Sequence, residues 1–264
     1  MQQAQILREE QPGNIAQQTA QQTDRVQIIY YTDPLCCWSW AFESQWRKLV
    51  YTFRDFISYR YCMSGMIADW KNYQDAVNSV SRPIQMGPVW MEAHHVSGMP
   101  FYDLIWIKDP PASSYPACLA VKCAEKQSAK TGELYLRALR EALMLDGQNI
   151  AKKEVLLQVA ETLKSNINIQ QFEQDLLSGA AIQAFKKDIA EVNYRNITRF
   201  PTLTISYQQK GVMFTGYRPY QALLEAFVKI APHIHIQNEV INKEDYLAYW
   251  PTLTERELKE IENV

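Results

Sequence analysis

Residues 26–40 read VQIIYYTDPLCCWSW. From Val26 to Tyr31 the run is β-branched and aromatic, as in a buried strand, and Asp33-Pro34 ends it with turn chemistry. Beyond the turn, Trp40, Phe42, Trp46, Leu49, Val50 and Phe53 recur at spacings of three and four, which places them on one apolar helix face. The segment therefore predicts strand, tight turn, helix, with two adjacent cysteines at the junction.

Phe56 to Met63 alternates in character and stops at Ser64-Gly65, so it predicts a second strand. A right-handed β-α-β crossover would set it parallel to the first. From residue 74 to 193 the pattern changes to amphipathic helices punctuated by Pro83, Pro88, Pro100, Pro110-Pro111 and Pro116. Helices are predicted at 116–127, 132–145, 152–163, 169–178 and 181–191. Strand signals return at 202–207 and 212–215 around the turn 208–211, an antiparallel hairpin. Pro219 then suits the first turn of a helix at 220–230. The expected class is α/β, in the order β-α-β, a large all-helical insertion, then β-β-α. The expected units are a flexible Gln-rich leader (1–25), a core domain (26–73 and 194–232), a helical insertion (74–193) and a tail (233–264). That tail carries an acidic-basic surface helix at Glu255–Ile261.

The 264 residues are 47% hydrophobic, 21% charged and 12% aromatic, a globular composition. A net charge of −2 gives no electrostatic reason to expect nucleic acid or an anionic membrane as partner. The leader lacks the pattern of a secretory signal, and no window reaches the roughly 18–20 apolar residues of a membrane span. Five cysteines, an odd number, do not resemble a disulfide framework. The expectation is a cytoplasmic protein with reduced thiols.

Cys36 falls where the first strand meets the first helix, so backbone N–H groups and the helix dipole would favour its thiolate. Trp38 and Trp40 could wall it, while Asp33 or Glu43 could relay a proton or simply cap the helix. Cys118 and Cys123, five apart on a predicted helix, point about 140° apart and share no face. No metal site is expected. Adjacent Cys36-Cys37 cannot form a C-x₂-C knuckle, and His94-His95 lack ligand spacing. His94 and His95 could line a cleft. Met63, Met66, Met86, Met91, Met99, Trp90 and Trp106 could form an apolar ligand surface or join the insertion to the core.

The strand–DPxCxWxW–helix opening, the helical insertion and Arg199-Phe200-Pro201-Thr202 entering a hairpin resemble the DsbA-type branch of the thioredoxin superfamily, over residues 26–230. The resemblance implies a thioredoxin-like fold with Cys36 as nucleophile and Cys37 and Trp38 as the intervening positions. It also implies Pro201 as a cis-proline facing Cys36, with backbone of Phe200 or Arg199 holding a substrate chain beside Trp38 and Trp40. One position departs: Ser39 stands where the resolving cysteine belongs, and a hydroxyl forms no disulfide. Three routes stay open. Cys36 could act as a monothiol resolved by glutathione, bacillithiol or coenzyme A; Cys62 could be a displaced resolving thiol; or Cys37 could pair with Cys36.

By resemblance the leading expectation is a thiol–disulfide oxidoreductase or isomerase with a Cys-Cys-Trp-Ser centre and no permanently bound cofactor. Its partners would be thiol- or disulfide-containing proteins or small molecules. Kappa-class glutathione transferases and chromene-carboxylate isomerases are similar too, so a glutathione-dependent transferase or isomerase is one alternative, against which Cys36 stands where those proteins carry serine. SpxH-type adapters also resemble this plan and present substrates to a ClpXP protease, an alternative that Ser39 strengthens.

Overall fold

The computed structural model describes residues 25–234 and 241–262; the expected leader lies outside them, apart from Arg25. Strands β1 (Val26–Thr32) and β2 (Ile57–Met63) pair in parallel, from Val26 opposite Ile57 to Thr32 opposite Met63. Strand β3 (Thr202–Tyr207) runs antiparallel to β1, and β4 (Lys210–Thr215) closes the hairpin, giving the order β2-β1-β3-β4. This is a thioredoxin-like α/β fold with its helical insertion between β2 and β3.

The two-residue period of the strands splits their side chains between two covers. Tyr30 and Tyr61 face one side, where α1 (Cys37–Ala41) and α2 (Glu43–Phe53) pack. There the Trp46 indole N–H donates to Tyr61 Oη at 2.9 Å, and its ring meets Tyr30 edge-on at 5.0 Å. Tyr31 and Cys62 face the other side, with Val192 and Ile197. The expected single helix is broken at Phe42, whose carbonyl accepts from both Gln45 N and Trp46 N.

The insertion runs through α3 (Met86–Ser97), α4 (Ile105–Lys108), α5 (Tyr115–Glu125), α6 (Ala129–Met144), α7 (Lys153–Thr162), α8 (Ile169–Ser178) and α9 (Ile182–Tyr194). Helices α3 and α4 occupy a stretch whose prolines read as punctuation. Pro88 lies in the first turn of α3, where a missing N–H costs no intrahelical bond, and Gly98 ends that helix at φ 72°. Met63, Met86, Met99, Trp90 and Trp106 are buried, so this set mainly joins insertion to core; Met91 alone of the seven is well exposed.

After α10 (Tyr220–Ile230) the tail forms α11 (Lys243–Tyr249) and α12 (Glu255–Glu262). The expectation of a surface helix for α12 is corrected, because Glu257 is 0% exposed and Ile261 is buried. The Arg137 guanidinium grips Glu257 with two parallel bonds of 2.9 and 2.8 Å, and Arg47 approaches within 3.4 Å. Thr254 and Glu257 complete a capping box, Thr254 N donating to Oε2 at 2.7 Å and Glu257 N donating to Thr254 Oγ1 at 3.3 Å. A charged residue at that helix position looked solvated in sequence; only the two arginines from other helices make its burial possible.

Burial pushes the Glu257 carboxyl up, but Arg137 and Arg47 outweigh it and hold it below its ordinary value of 4.5. Its contribution to stability is therefore complete above that value and is lost as pH falls through the lower, folded one. Glu257→Ala, which removes the buried bidentate partner of Arg137 and leaves Glu141 and Glu43 to pair the two arginines, is expected to cost about 3 kcal/mol in urea unfolding at pH 7. The gap between variant and parent should narrow as pH is lowered below 4.5; a gap unchanged by pH would mean that the ion pairs do not carry it.

Candidate active site

The junction after β1 is built by Asp33. Its carboxyl is 0% exposed and accepts from Leu35 N at 2.9 Å, which shapes the turn into α1. Oδ2 collects Met66 N (2.7 Å), Ser114 Oγ (2.9 Å), Ser64 Oγ (3.3 Å) and the Cys118 thiol (3.4 Å). Asp33 thus ties β1, the exit from β2 and the start of α5. Burial raises its pKa, the two backbone N–H donors and the Ser114 and Cys118 side chains opposing that rise. Its five donors leave it a structural acceptor rather than a free proton relay.

Cys36 caps α1, accepting from Ser39 N at 3.3 Å, and its S–H donates to the Phe200 carbonyl at 3.5 Å. The Phe200–Pro201 peptide bond is cis. That loop is fixed on both sides: Pro201 O accepts from Gly216 N at 2.7 Å, and Thr202 Oγ1 donates to Arg199 O at 2.7 Å. Arg199 is exposed, Phe200 half-buried and Pro201 buried. Cys36, Ser39, Phe200 and Pro201 therefore meet at one end of the sheet.

The thiolate expectation needs correction. Burial pushes the Cys36 thiol above its ordinary 9.0, Asp33 adds to the rise, and the Ser39 contacts and Arg140 only partly oppose it. Cys36 is 4% exposed. The helix-cap bond is present, but desolvation of the charged sulfur outweighs it.

The other expected residues divide. Trp38 is half-buried beside Cys36 in sequence, whereas Trp40 is wholly buried and is not a substrate wall. Its indole N–H donates to Pro100 O at 2.8 Å and the Arg137 guanidinium lies 4.5 Å over its ring. Cys37 is buried in the main core, its thiol pushed well up by burial. Cys62 lies beneath α9, donating to Asp188 O at 3.6 Å, its thiol likewise raised by burial. Phe200 packs against the Cys62 cluster while its carbonyl meets Cys36. All five cysteines are free. His94 bonds Met99 O at 2.6 Å and closes the end of α3 rather than lining a cleft. No group of three or more His, Cys, Asp or Glu side chains fit for a metal occurs among the described residues. Among those residues no helix is long and apolar enough to cross a membrane.

Glu43 is no relay either. It binds Arg140 at very short range, with Arg47 at 3.1 Å and Arg137 at 3.5 Å. Arg140 also donates to Thr32 Oγ1 at the end of β1, and the Tyr30 hydroxyl donates to Ser39 O at 3.3 Å. Sequence reasoning missed Arg140. A signal existed: in α6 it follows Leu136 by four and precedes Leu143 by three, on the buried stripe.

Comparison with known proteins agrees with this geometry. The thioredoxin family model matches residues 30–225. The chain is 29% identical to the ClpXP adapter protein SpxH of Halalkalibacterium halodurans, over 76% of this chain and 66% of that protein. It is 30% identical to that of Shouchella clausii, over 78% and 68%. It thus spans about two thirds of the length of these relatives. A candidate protein disulfide isomerase from Nitrosomonas europaea superposes with a TM-score of 0.64 at 21% identity, covering 78% of this chain and 98% of that one. The cytosolic disulfide reductase DsbM of Pseudomonas aeruginosa gives 0.58 at 19%, covering 78% and 100%. At such identities these two show the fold alone.

Alkylation of Cys36 by iodoacetamide, followed by mass spectrometry of its peptide, is expected to show a midpoint above pH 9.0. At pH 7 the rate should fall below that of an exposed cysteine peptide titrating near 8.5. A midpoint near 7 would overturn the dominance of burial.

Proposed function

The chain belongs to the DsbA-like branch of the thioredoxin family, and we propose that within it the chain serves as a binding module, an adapter that holds client proteins for the ClpXP protease. The observation that carries this reading is the state of the Cys36 site. Its thiol is buried, raised in pKa and bonded to Phe200 O, and Ser39 stands where a resolving thiol would be needed. A thioredoxin-type redox cycle needs a thiolate to attack and a second thiolate to release the product. Both are suppressed, while the fold and the Phe200–Pro201 loop are kept. The names of the SpxH relatives support the same reading. On it, the chain is cytoplasmic and its partners are proteins. Exposed Arg199 and half-buried Phe200 and Trp38 are the side chains by which this end of the sheet would meet an extended client segment.

A second reading rests on the helix-cap bond to Cys36. If a client disulfide drew the thiol out of its burial, Cys36 would attack it, forming a mixed disulfide and expelling a client thiolate. A small thiol such as glutathione would then resolve that mixed disulfide by taking its place on the client or on Cys36. Cys62, beneath α9, is poorly placed for that step.

A client captured on the immobilised full chain and presented to purified ClpXP should be degraded about tenfold faster or more when the chain is added, as tethering raises effective concentration. Cys36→Ser should leave that acceleration unchanged, and insulin reduction with glutathione should stay at background. Absence of acceleration together with thiol turnover that Cys36→Ser abolishes would sink the adapter reading in favour of the second. Ser39→Cys should add disulfide exchange to a chain that otherwise lacks it, read as insulin reduction; no gain would show that burial of Cys36, and not the missing thiol alone, closes the cycle.

A further inference from the structure

Helices α5, α7, α8 and α9 line an apolar groove, open to solvent on one side, of about 540 Å³, away from the residues that surround Cys36. Leu156 and Phe185 form buried parts of its wall, and Leu119, Leu176 and Ile189 are half-buried around it. Leu177 and Ile182 belong to the same lining yet stay 60% and 40% exposed. This much uncovered aliphatic surface around a hollow is unfavourable in water unless something fills it. The volume falls within the roughly 300–1,000 Å³ of small-molecule sites.

The chemistry of the lining narrows the occupant. Apart from the Tyr115 hydroxyl, the only polar side-chain groups are the ammonium groups of Lys153 and Lys186. Both lysines are exposed, and neither is in an ion pair among the described residues, although adjacent Lys152 is held by Asp109 at 2.7 Å. Lys186 has Ile182 and Ala190 at four residues either side, so its own helix offers it no carboxylate. Lys153 opens α7, whose N-cap Lys152 makes no side-chain capping bond, so the helix end adds positive potential beside it. A hollow with aliphatic walls cannot hold a sugar, a nucleotide base or a polar peptide without leaving hydrogen-bond groups unmet. A cationic mouth selects an anionic head.

We propose that this groove binds a long-chain carboxylate, a fatty acid whose hydrocarbon tail lies among the α5, α7, α8 and α9 side chains and whose head meets Lys153 and Lys186. It is independent of the adapter reading, since none of the lining residues touches Cys36, Phe200 or Pro201.

The test uses the full chain and calorimetric titration with octanoate, decanoate and dodecanoate below their micelle concentrations, with dodecylamine as the cationic counterpart. Saturable one-to-one binding is expected, tightening about fourfold for each added methylene. The double variant Lys153→Glu with Lys186→Glu should weaken dodecanoate about tenfold and favour the amine. Ile182→Glu, at an exposed position, should weaken both amphiphiles while thermal unfolding shows an intact fold. Absence of saturable binding, affinity independent of chain length, amine binding as tight as the acid, or indifference to all three substitutions would each overturn the proposal.

Discussion

Arg140 is a guanidinium held 1% exposed, by its side chain, at the junction of the sheet, the first helices and the insertion. Such an ion costs several kcal/mol to desolvate, and only close anions and acceptors offset this. Glu43 on α2 and Thr32 on β1 supply them. The same Glu43 approaches Arg47 and Arg137, and those two hold Glu257 of the tail. Strand, the helix pair that follows Cys36, insertion and tail are thus registered by one buried set of alternating charges. Glu43 is the member the others depend on: without it Arg140 has no carboxylate partner, whereas Arg47 and Arg137 each contact a second one, so the network ties one arrangement together through that side chain.

The site inherits its character from that enclosure. Asp33 locks the turn beneath Cys36 with five donors, Tyr30 bonds the Ser39 carbonyl, and the Phe200–Pro201 loop lies on the sulfur. Each contact fixes geometry while shutting water away. A helix start ordinarily lowers a thiol pKa, but burial acts on the whole charge of a thiolate and here prevails. The result is the strand–turn–helix geometry of the family with a thiol whose pKa burial pushes up.

Some of this was legible because it depends on neighbours in the chain. A β-branched and aromatic run gave β1, alternation gave β2, strand signals around a polar turn gave the hairpin, and period-3.6 runs gave the helices from α5 to α10 to within a few residues. Gln208, at φ 52°, turns the hairpin where polar residues separate two strand-like runs. Helix α3 was hidden because Pro88 looks like a breaker unless its place in the first turn is known. For Trp40 the sequence left two readings open, the apolar helix face and a wall beside Cys36, because a tryptophan beside a cysteine fits either. Which it is depends on Pro100 and Arg137, sixty and ninety-seven residues along the chain.

The sequence by itself determined the α/β order, the strand–turn–helix that places Cys36, and the chemical fact that Ser39 cannot resolve a disulfide. These follow from local periodicity and from what each side chain can react with. Tertiary structure alone decided that burial raises the Cys36 thiol pKa, that Cys62 sits under α9, and that a glutamate of the tail is buried. Those outcomes are set by desolvation and by charges brought close across more than a hundred residues. Desolvation and long-range pairing are properties of a three-dimensional neighbourhood, and no window along the chain contains them.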